Sequence, residues 1–321
     1  MTTTIAEVPA KGTARGPVPR HKRRFSRQQV HENIVGYLFF SPWLLGIIFF
    51  NILPILSAVY YSFTQYSVLQ PPEWVGLNNY YEMFYVDELF WKAVYNTLYY
   101  AIFSVPLGLI FAITLAMLLN YRVWGLAFFR ATFFLPSIVP GVAAAVVWAW
   151  ILNPEYGLVN DLLSRIGVPG PPWLTSEVWS KPAFILMSLW GIGSTAIIFL
   201  AALQDIPQHL YEASEIDGAN LFHRARYVTI PLLTPAIFFN LIMGVIGALQ
   251  IFTQVFVISD GGPLWSTLFY VFYLYRQGFQ YFNMGYASAL SIVLFVITLI
   301  FTLILMLTSK RWVYYEGAQP R

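Results

Sequence analysis

The chain has 321 residues, of which 58% are hydrophobic and only 10% charged, with 18 Lys and Arg against 15 Asp and Glu for a net charge of +3. Soluble domains carry about 25% charged residues, so the polar groups here are too few to cover a water-facing globule and the expected solvent is the lipid bilayer. The sequence contains no cysteine, which excludes a disulfide, a thiolate metal site and a cysteine nucleophile.

Residues 1–33 hold Pro, Gly, Thr and the basic cluster RHKRRFSR, and read as a disordered basic tail whose charges set topology. The apolar run that follows continues to Ser62, far beyond the 7–15 residues of a cleaved signal peptide, so a retained first helix is expected. Six stretches lack Asp, Glu, Lys and Arg: Ile34–Ser62, Ala93–Tyr121, Ala131–Pro154, Pro182–Gln204, Tyr227–Ser259 and Gln277–Ser309. Each exceeds the ~20 residues needed to cross the hydrocarbon core, and each reads as an α-helix because backbone groups in lipid must be satisfied within the segment. The predicted fold is all-α, a polytopic protein with six transmembrane helices over about 34–62, 93–121, 131–154, 182–204, 232–259 and 284–309. The short run Gly261–Tyr275 is left outside that count as an interfacial or re-entrant segment, with Phe269, Phe272 and its tyrosines suited to the interface. Segments 63–92 and 153–181 read as modest loops.

With six spans, fourteen of the eighteen basic residues fall on the side of the two termini; Lys92, Arg165, Lys181 and Arg276 fall on the other. The positive-inside rule then places both termini in the cytoplasm. No charged residue lies inside the spans, which argues against proton coupling through intramembrane carboxylates. All four histidines (His21, His31, His209, His223) lie in predicted cytoplasmic segments, and no lysine follows a glycine, so no phosphate-binding GxxxxGK[ST] loop exists. ATP, if used, must be hydrolysed by a partner.

One cytoplasmic loop, 205–231, is conspicuously polar. It reads as two short helices divided by a glycine. Asp205 and Pro207 form a helix start, Glu212 and Glu215 share a face, and Gly218 fits the position just past the helix end, where φ > 0 is needed. Leu221, Ala225 and Val228 mark a second helical phrase, and Pro231 and Pro235 punctuate the return to the membrane. A polar connector would carry such charges too. A docking element would use the carboxylates for recognition by Arg or Lys and the small residues for close approach.

The residues "EAS" at 212–214, Gly218 four positions beyond Ser214, and "VTIP" at 228–231 resemble the EAA motif of ABC importer permeases. Ser214, Val228 and Ile230 depart from that pattern mildly. "SDGGPLWST" (259–267) and "YLYRQGFQYFNMGYASALS" (273–291) look like its carbohydrate-type branch, and the resemblance covers about residues 34–312. It implies a coupling helix seated on a separate ATPase, with Glu212, Ala213, Ser214, Glu215, Asp217 and Gly218 as the coupling residues. It implies further partners: a second homologous permease subunit, two ATP-binding cassette subunits carrying ATP and Mg, an extracytoplasmic solute-binding protein and a carbohydrate. No cofactor is expected on this chain and no nucleic acid among its partners. The chain catalyses nothing by itself, and a bacterial or archaeal plasma membrane is its implied location. The acidic outer loops (Glu73, Glu82, Asp87, Glu88, Glu155, Asp161, Glu177, Asp260) are the surface expected to face the binding protein.

The fifth span carries Asn240, Gly244, Gly247, Ala248, Gln250, Ile251 and Gln254, and the fourth carries Ser188, Gly191, Ser194 and Thr195, largely at spacings of three and four. Small and hydroxyl residues also serve ordinary helix packing in membranes. The resemblance implies that these two spans line the substrate pathway, where Trp190 or Phe252 would stack on a sugar. The alternatives are a self-sufficient carrier or channel for small polar solutes, and an ABC permease for another substrate such as a sugar phosphate.

Overall fold

In the computed structural model, residues 27–121 and 124–314 are described; the expected disordered tail over 1–26, the pair 122–123 and the end of the C-terminal tail, 315–321, lie outside them. The chain divides into two compact units, Met1–Ile55 and Leu56–Arg321. In the first, helix α1 spans Arg27–Ile47 and passes into a π-helical turn, Ile48–Ile52. It therefore begins inside the stretch expected to be tail. Its apolar side chains are exposed, Phe39 by 79% and Phe50 by 81%, as suits a helix whose solvent is hydrocarbon. Pro42 cannot donate to Leu38, and the Ser41 hydroxyl fills that place, donating to the Leu38 carbonyl at 2.8 Å.

Helix α2, Leu53–Ser62, leads into the second unit. Where a loop was expected, an antiparallel hairpin follows: β1 (Thr64–Ser67) and β2 (Gln70–Trp74), with Thr64 opposite Trp74. Pro71 and Pro72 disguise β2, since proline is admitted only on an edge strand. Helix α3 (Asn78–Tyr85) is tied back by Asn79, whose amide donates to the carbonyls of Ser62 and Thr64, both at 2.9 Å.

The second unit is organised around α4, Glu88–Asn120. Its 33 residues give about 50 Å of helix at 1.5 Å per residue. It starts at Glu88 rather than at the charge-free boundary because Asp87 caps it, accepting from the backbone N–H of Leu89 at 2.9 Å and of Phe90 at 3.2 Å. Ala93, Ala101, Ala112 and Ala116 are all buried along it. Small side chains let neighbouring backbones close in, the usual basis of helix packing in lipid. One apolar cluster surrounds its first half and a second surrounds its last turns.

The third expected span is not one helix. α5 (Leu126–Phe134) passes through a 3₁₀ turn, Leu135–Ile138, into α6 (Gly141–Ile151), and the two halves meet at 100°. Pro136 and Pro140 lie at the break; each lacks an N–H and clashes with the preceding turn. α7 (Leu158–Arg165) follows in the second connecting segment. The fourth expected span is likewise bent, by 48°, between α8 (Ser180–Trp190) and α9 (Gly193–Gln204). A Cβ on Gly193 would lie 2.2 Å from the Phe133 carbonyl oxygen, so glycine alone permits this approach of α5 to α9. Among the described residues four helices are long and apolar enough to cross a bilayer, or six if each bent pair is one span.

After α10 (Gln208–Ile216) and α11 (Leu221–Arg224), a π-helical turn, Ala225–Thr229, runs without interruption into α12, Ile230–Leu249. Pro231 and Pro235 therefore do not punctuate this region. Pro231 sits in the first turn of α12, and the carbonyl that Pro235 leaves free, that of Pro231, accepts the Thr234 hydroxyl at 2.6 Å. The helix instead opens at Gln250–Phe252 before α13, Thr253–Ile258. The second unit closes with α14 (Tyr270–Tyr275) and α15 (Met284–Ser309).

Of the two placements expected for Gly261–Tyr275, interfacial or re-entrant, its burial does not fit the interfacial one. Leu268, Phe269, Tyr270 and Phe272 are at most 2% exposed. Its irregular stretch is pinned to α4. The Asn96 amide donates to the carbonyls of Trp265 (2.9 Å) and Leu268 (3.1 Å), and the Thr97 hydroxyl accepts from the Tyr270 N–H at 2.8 Å. An unpaired backbone group buried here would cost about 1–3 kcal/mol. Asn96→Leu should accordingly lower the thermal unfolding midpoint of the detergent-solubilised protein. Ile110→Leu on the exposed face of the same helix should leave it unchanged.

Candidate functional site

Two regions gather the residues singled out from sequence. The first is an open cavity of about 460 Å³ bordered by α4, α8, α9, α12 and the opening at Gln250–Phe252, within the 300–1,000 Å³ of ordinary ligand pockets. Ser188, Gly244, Gly247, Ala248, Gln250 and Ile251 line it, with Thr195, Asn240 and Gln254. Gly191 and Ser194 are exposed and lie outside the lining. Of the two aromatics considered for stacking, Phe252 lines the cavity. Trp190 does not; its ring packs edge-on to Trp148, with centroids 6.1 Å apart.

Sequence reasoning overlooked the contribution of α4, which supplies Tyr100, Ser104 and Gly108. The spacing of four places these on one helical face, and that was the available signal. The lining carries amides, hydroxyls and apolar groups but no ionisable acid or base other than the Tyr100 phenol. Ser188 already donates to the Ile185 carbonyl at 2.6 Å and Asn240 to that of Ala236 at 2.9 Å. Both side chains act as donors in these bonds, which leaves their oxygens as unused acceptors. Such a surface suits a neutral polyhydroxyl compound, whereas an ion would be desolvated there without compensation.

The second region is the loop 205–231, at the end of the bundle where α4, α9 and α15 finish. Asp205 does not cap α10; it terminates α9, and Pro207 occupies the N-cap without a side-chain bond. Glu212, Ala213, Asp217 and Gly218 are exposed, and Ser214 is half-buried with its hydroxyl on the Tyr211 carbonyl at 2.7 Å. Gly218 has φ +75°. The turn is closed by the N–H groups of Gly218 and Ala219, which donate to Glu215 and Ser214 at 3.0 and 2.9 Å. Asn220 then caps α11, accepting from the His223 N–H at 2.9 Å. Beside Glu212 the loop exposes Ile216 (87%), Leu221 and Phe222. Glu215 does not share that freedom: it forms an ion pair with Arg224 across the turn. Nothing in the helical spacing signalled this contact, which depends on the reversal at Gly218.

At the opposite end, Asp87 joins three elements. Its second carboxylate oxygen accepts from the hydroxyls of Tyr273 and Tyr286, both at 2.5 Å. Burial, and then the adjacent Asp87 carboxylate, raise the Tyr273 hydroxyl above the ordinary phenol range, so it remains a donor at neutral pH. Among the described residues no group of three or more His, Asp or Glu is placed to hold a metal ion.

Comparison with known proteins gives this geometry a context. A family model described as the inner membrane component of binding-protein-dependent transport systems matches residues 104–314. The probable ABC transporter permease protein YesP of Bacillus subtilis is 42% identical over 92% of this chain and 96% of its own length. The trehalose/maltose transport system permease protein MalF of Thermococcus litoralis is 34% identical, over 89% of this chain and 97% of its own. The structure of a bacterial ABC transporter that imports the acidic polysaccharide alginate superposes with a TM-score of 0.78 at 26% identity, covering 88% of this chain and 98% of the matched one. The same type of transporter has been solved with an alginate pentasaccharide-bound periplasmic protein. Match length, identity and backbone agree: this chain belongs to the family of binding-protein-dependent transport system inner membrane components.

Proposed function

We propose that the chain is one membrane-spanning permease subunit of an ATP-driven, binding-protein-dependent sugar importer. The observation that carries this reading is the cavity between α4, α8, α9 and α12, whose amide and hydroxyl lining lies among helices apolar enough to cross a bilayer. Relatives named for trehalose/maltose and lactose transport support a sugar as cargo. The uncharged lining favours a neutral saccharide over an acidic one. Gly191 and Ser194 then belong to a wider pathway that a second, homologous permease subunit would complete.

Six spans, both termini in the cytoplasm and the loop 205–231 on that same side form the topology consistent with the basic residues. Two ATP-binding cassette subunits would hold ATP and Mg, and α10 would dock into them. Glu212 supplies charge to that contact and Ile216 and Phe222 supply apolar area; an exposed ion pair alone yields only ~0.2–1 kcal/mol. The end of the bundle bearing Asp87 would face an extracytoplasmic solute-binding protein. Closure of the ATPases around ATP would shift α10 and, through it, the helices that wall the cavity.

Reconstituting the chain with its partner subunits in vesicles and offering trehalose, maltose, lactose and a uronic-acid disaccharide tests this directly. Uptake of a neutral sugar only when ATP is present is the expected result; uptake by the chain alone, without nucleotide, would sink the importer reading. A Cβ on Gly247 meets no atom within 4 Å, so Gly247→Phe should assemble normally. Its ring would fill the cavity, and it should lose about 10-fold or more in uptake, equivalent to about 1.4 kcal/mol. Gly218→Val strains a left-handed turn that favours glycine. It should weaken copurification of the ATPase while leaving sugar binding by the solute-binding protein intact.

A further inference from the structure

Glu215 and Arg224 are the loop's only ion-paired residues among those described, and they pair with each other across the Gly218 turn. A second tie runs parallel to the first. The Tyr211 hydroxyl meets that of Thr229 at 3.1 Å, and Thr229, only 5% exposed, also lies 3.4 Å from the Arg224 carbonyl. Both ties join α10 to the continuous helical body formed by α11, the π-helical turn and α12. They are needed because α10 is not backed by packed side chains there. A cavity of about 240 Å³, lined by Met117, Leu203, Tyr211, Arg224 and Thr229 among others, separates the loop from the ends of α4 and α9. Residues 221–249, to which α10 is tied, span about 40 Å at 1.5 Å per residue and end in Gly244, Gly247 and Ala248 on the cavity wall.

From this geometry we infer that Glu215–Arg224 and Tyr211–Thr229 form a strut that positions α10 against the foot of α12, and that Glu215 serves this strut rather than the ATPase surface. The strut makes displacement of α10 a displacement of the cavity wall. Without it, α10 swings about Gly218 into the space behind it, and ATP is hydrolysed with less movement at the cavity. The pair is half exposed, with side chains 24% and 58% accessible, and partly exposed pairs add little to stability. Its loss therefore changes transmission and leaves the fold intact.

This inference rests on the ATPase partnership proposed above, and the two fail differently. The complete importer in proteoliposomes is assayed for ATP hydrolysis and for uptake of the radiolabelled neutral disaccharide that the wild type accepts. Arg224→Gln and Glu215→Gln should copurify with the ATPase and hydrolyse ATP when the binding protein is present. Sugar delivered per ATP should fall several-fold. The exchanged pair, E215R with R224E, should recover most of that ratio, which a merely local defect would not, and Tyr211→Phe should lower it as well. Single variants with a wild-type ratio overturn the strut, and so does an exchanged pair no better than either single change. Failure of Glu215→Gln to bind the ATPase also overturns it, by placing Glu215 in the contact. A wild-type chain that neither binds nor needs an ATPase overturns the importer reading itself, before any variant is compared.

Discussion

Every departure from a regular helix in this chain has to find partners for the backbone groups it frees. Hydrocarbon offers none, and each unsatisfied buried group costs several kcal/mol. The same local device appears in both units. Ser41 before Pro42 and Thr234 before Pro235 each donate to the carbonyl that the proline leaves open. The irregular stretch before α14 uses a longer-range version, in which Asn96 and Thr97 of α4 supply bonds to Trp265, Leu268 and Tyr270. At these three places a side chain of this protein replaces water.

The architecture of the second unit follows from that rule. α4 is long, small-residue-rich and regular, and it carries both apolar clusters. The helices that break do so around it. Ile192 at one opening and Gln250, Ile251 and Phe252 at another line the cavity, so that irregular backbone borders a polar space. The loop 205–231 obeys the opposite logic. Exposed beyond the bundle, it holds its shape with a glycine turn, one cap and two side-chain ties, none of which requires burial in a core.

Part of the geometry of the candidate site was legible in the residues. Gly218 occupies the left-handed turn its position implied, Glu212 is exposed, and Gly244, Gly247 and Gln250 line one cavity with Ser188. The misreadings share a cause. Asp205 had the right chemistry for a cap but closes the preceding helix, because capping depends on backbone direction at one residue. For Phe269 and Phe272 an interfacial and a re-entrant placement were both open, and their burial decides against the first, because composition does not say whether lipid headgroups or protein will cover a ring. Tyr100, Ser104 and Gly108 went unremarked because a polar face on a long apolar helix acquires meaning only when another helix faces it.

What the residues determined alone is the part that rests on local chemistry and solvent. These are the bilayer environment, the helical class, the positions of long charge-free runs, the glycine turn and the recognisable spacing of the loop. Each follows from groups near one another along the chain, or from simple counts of charge and apolar surface. Tertiary structure alone decided where the helices bend, which residues of separate helices share the cavity, and that Glu215 pairs with Arg224 across the turn while Glu212 does not. Those outcomes depend on distances between residues remote in sequence or opposed across a reversal. No periodicity within a single segment encodes such distances.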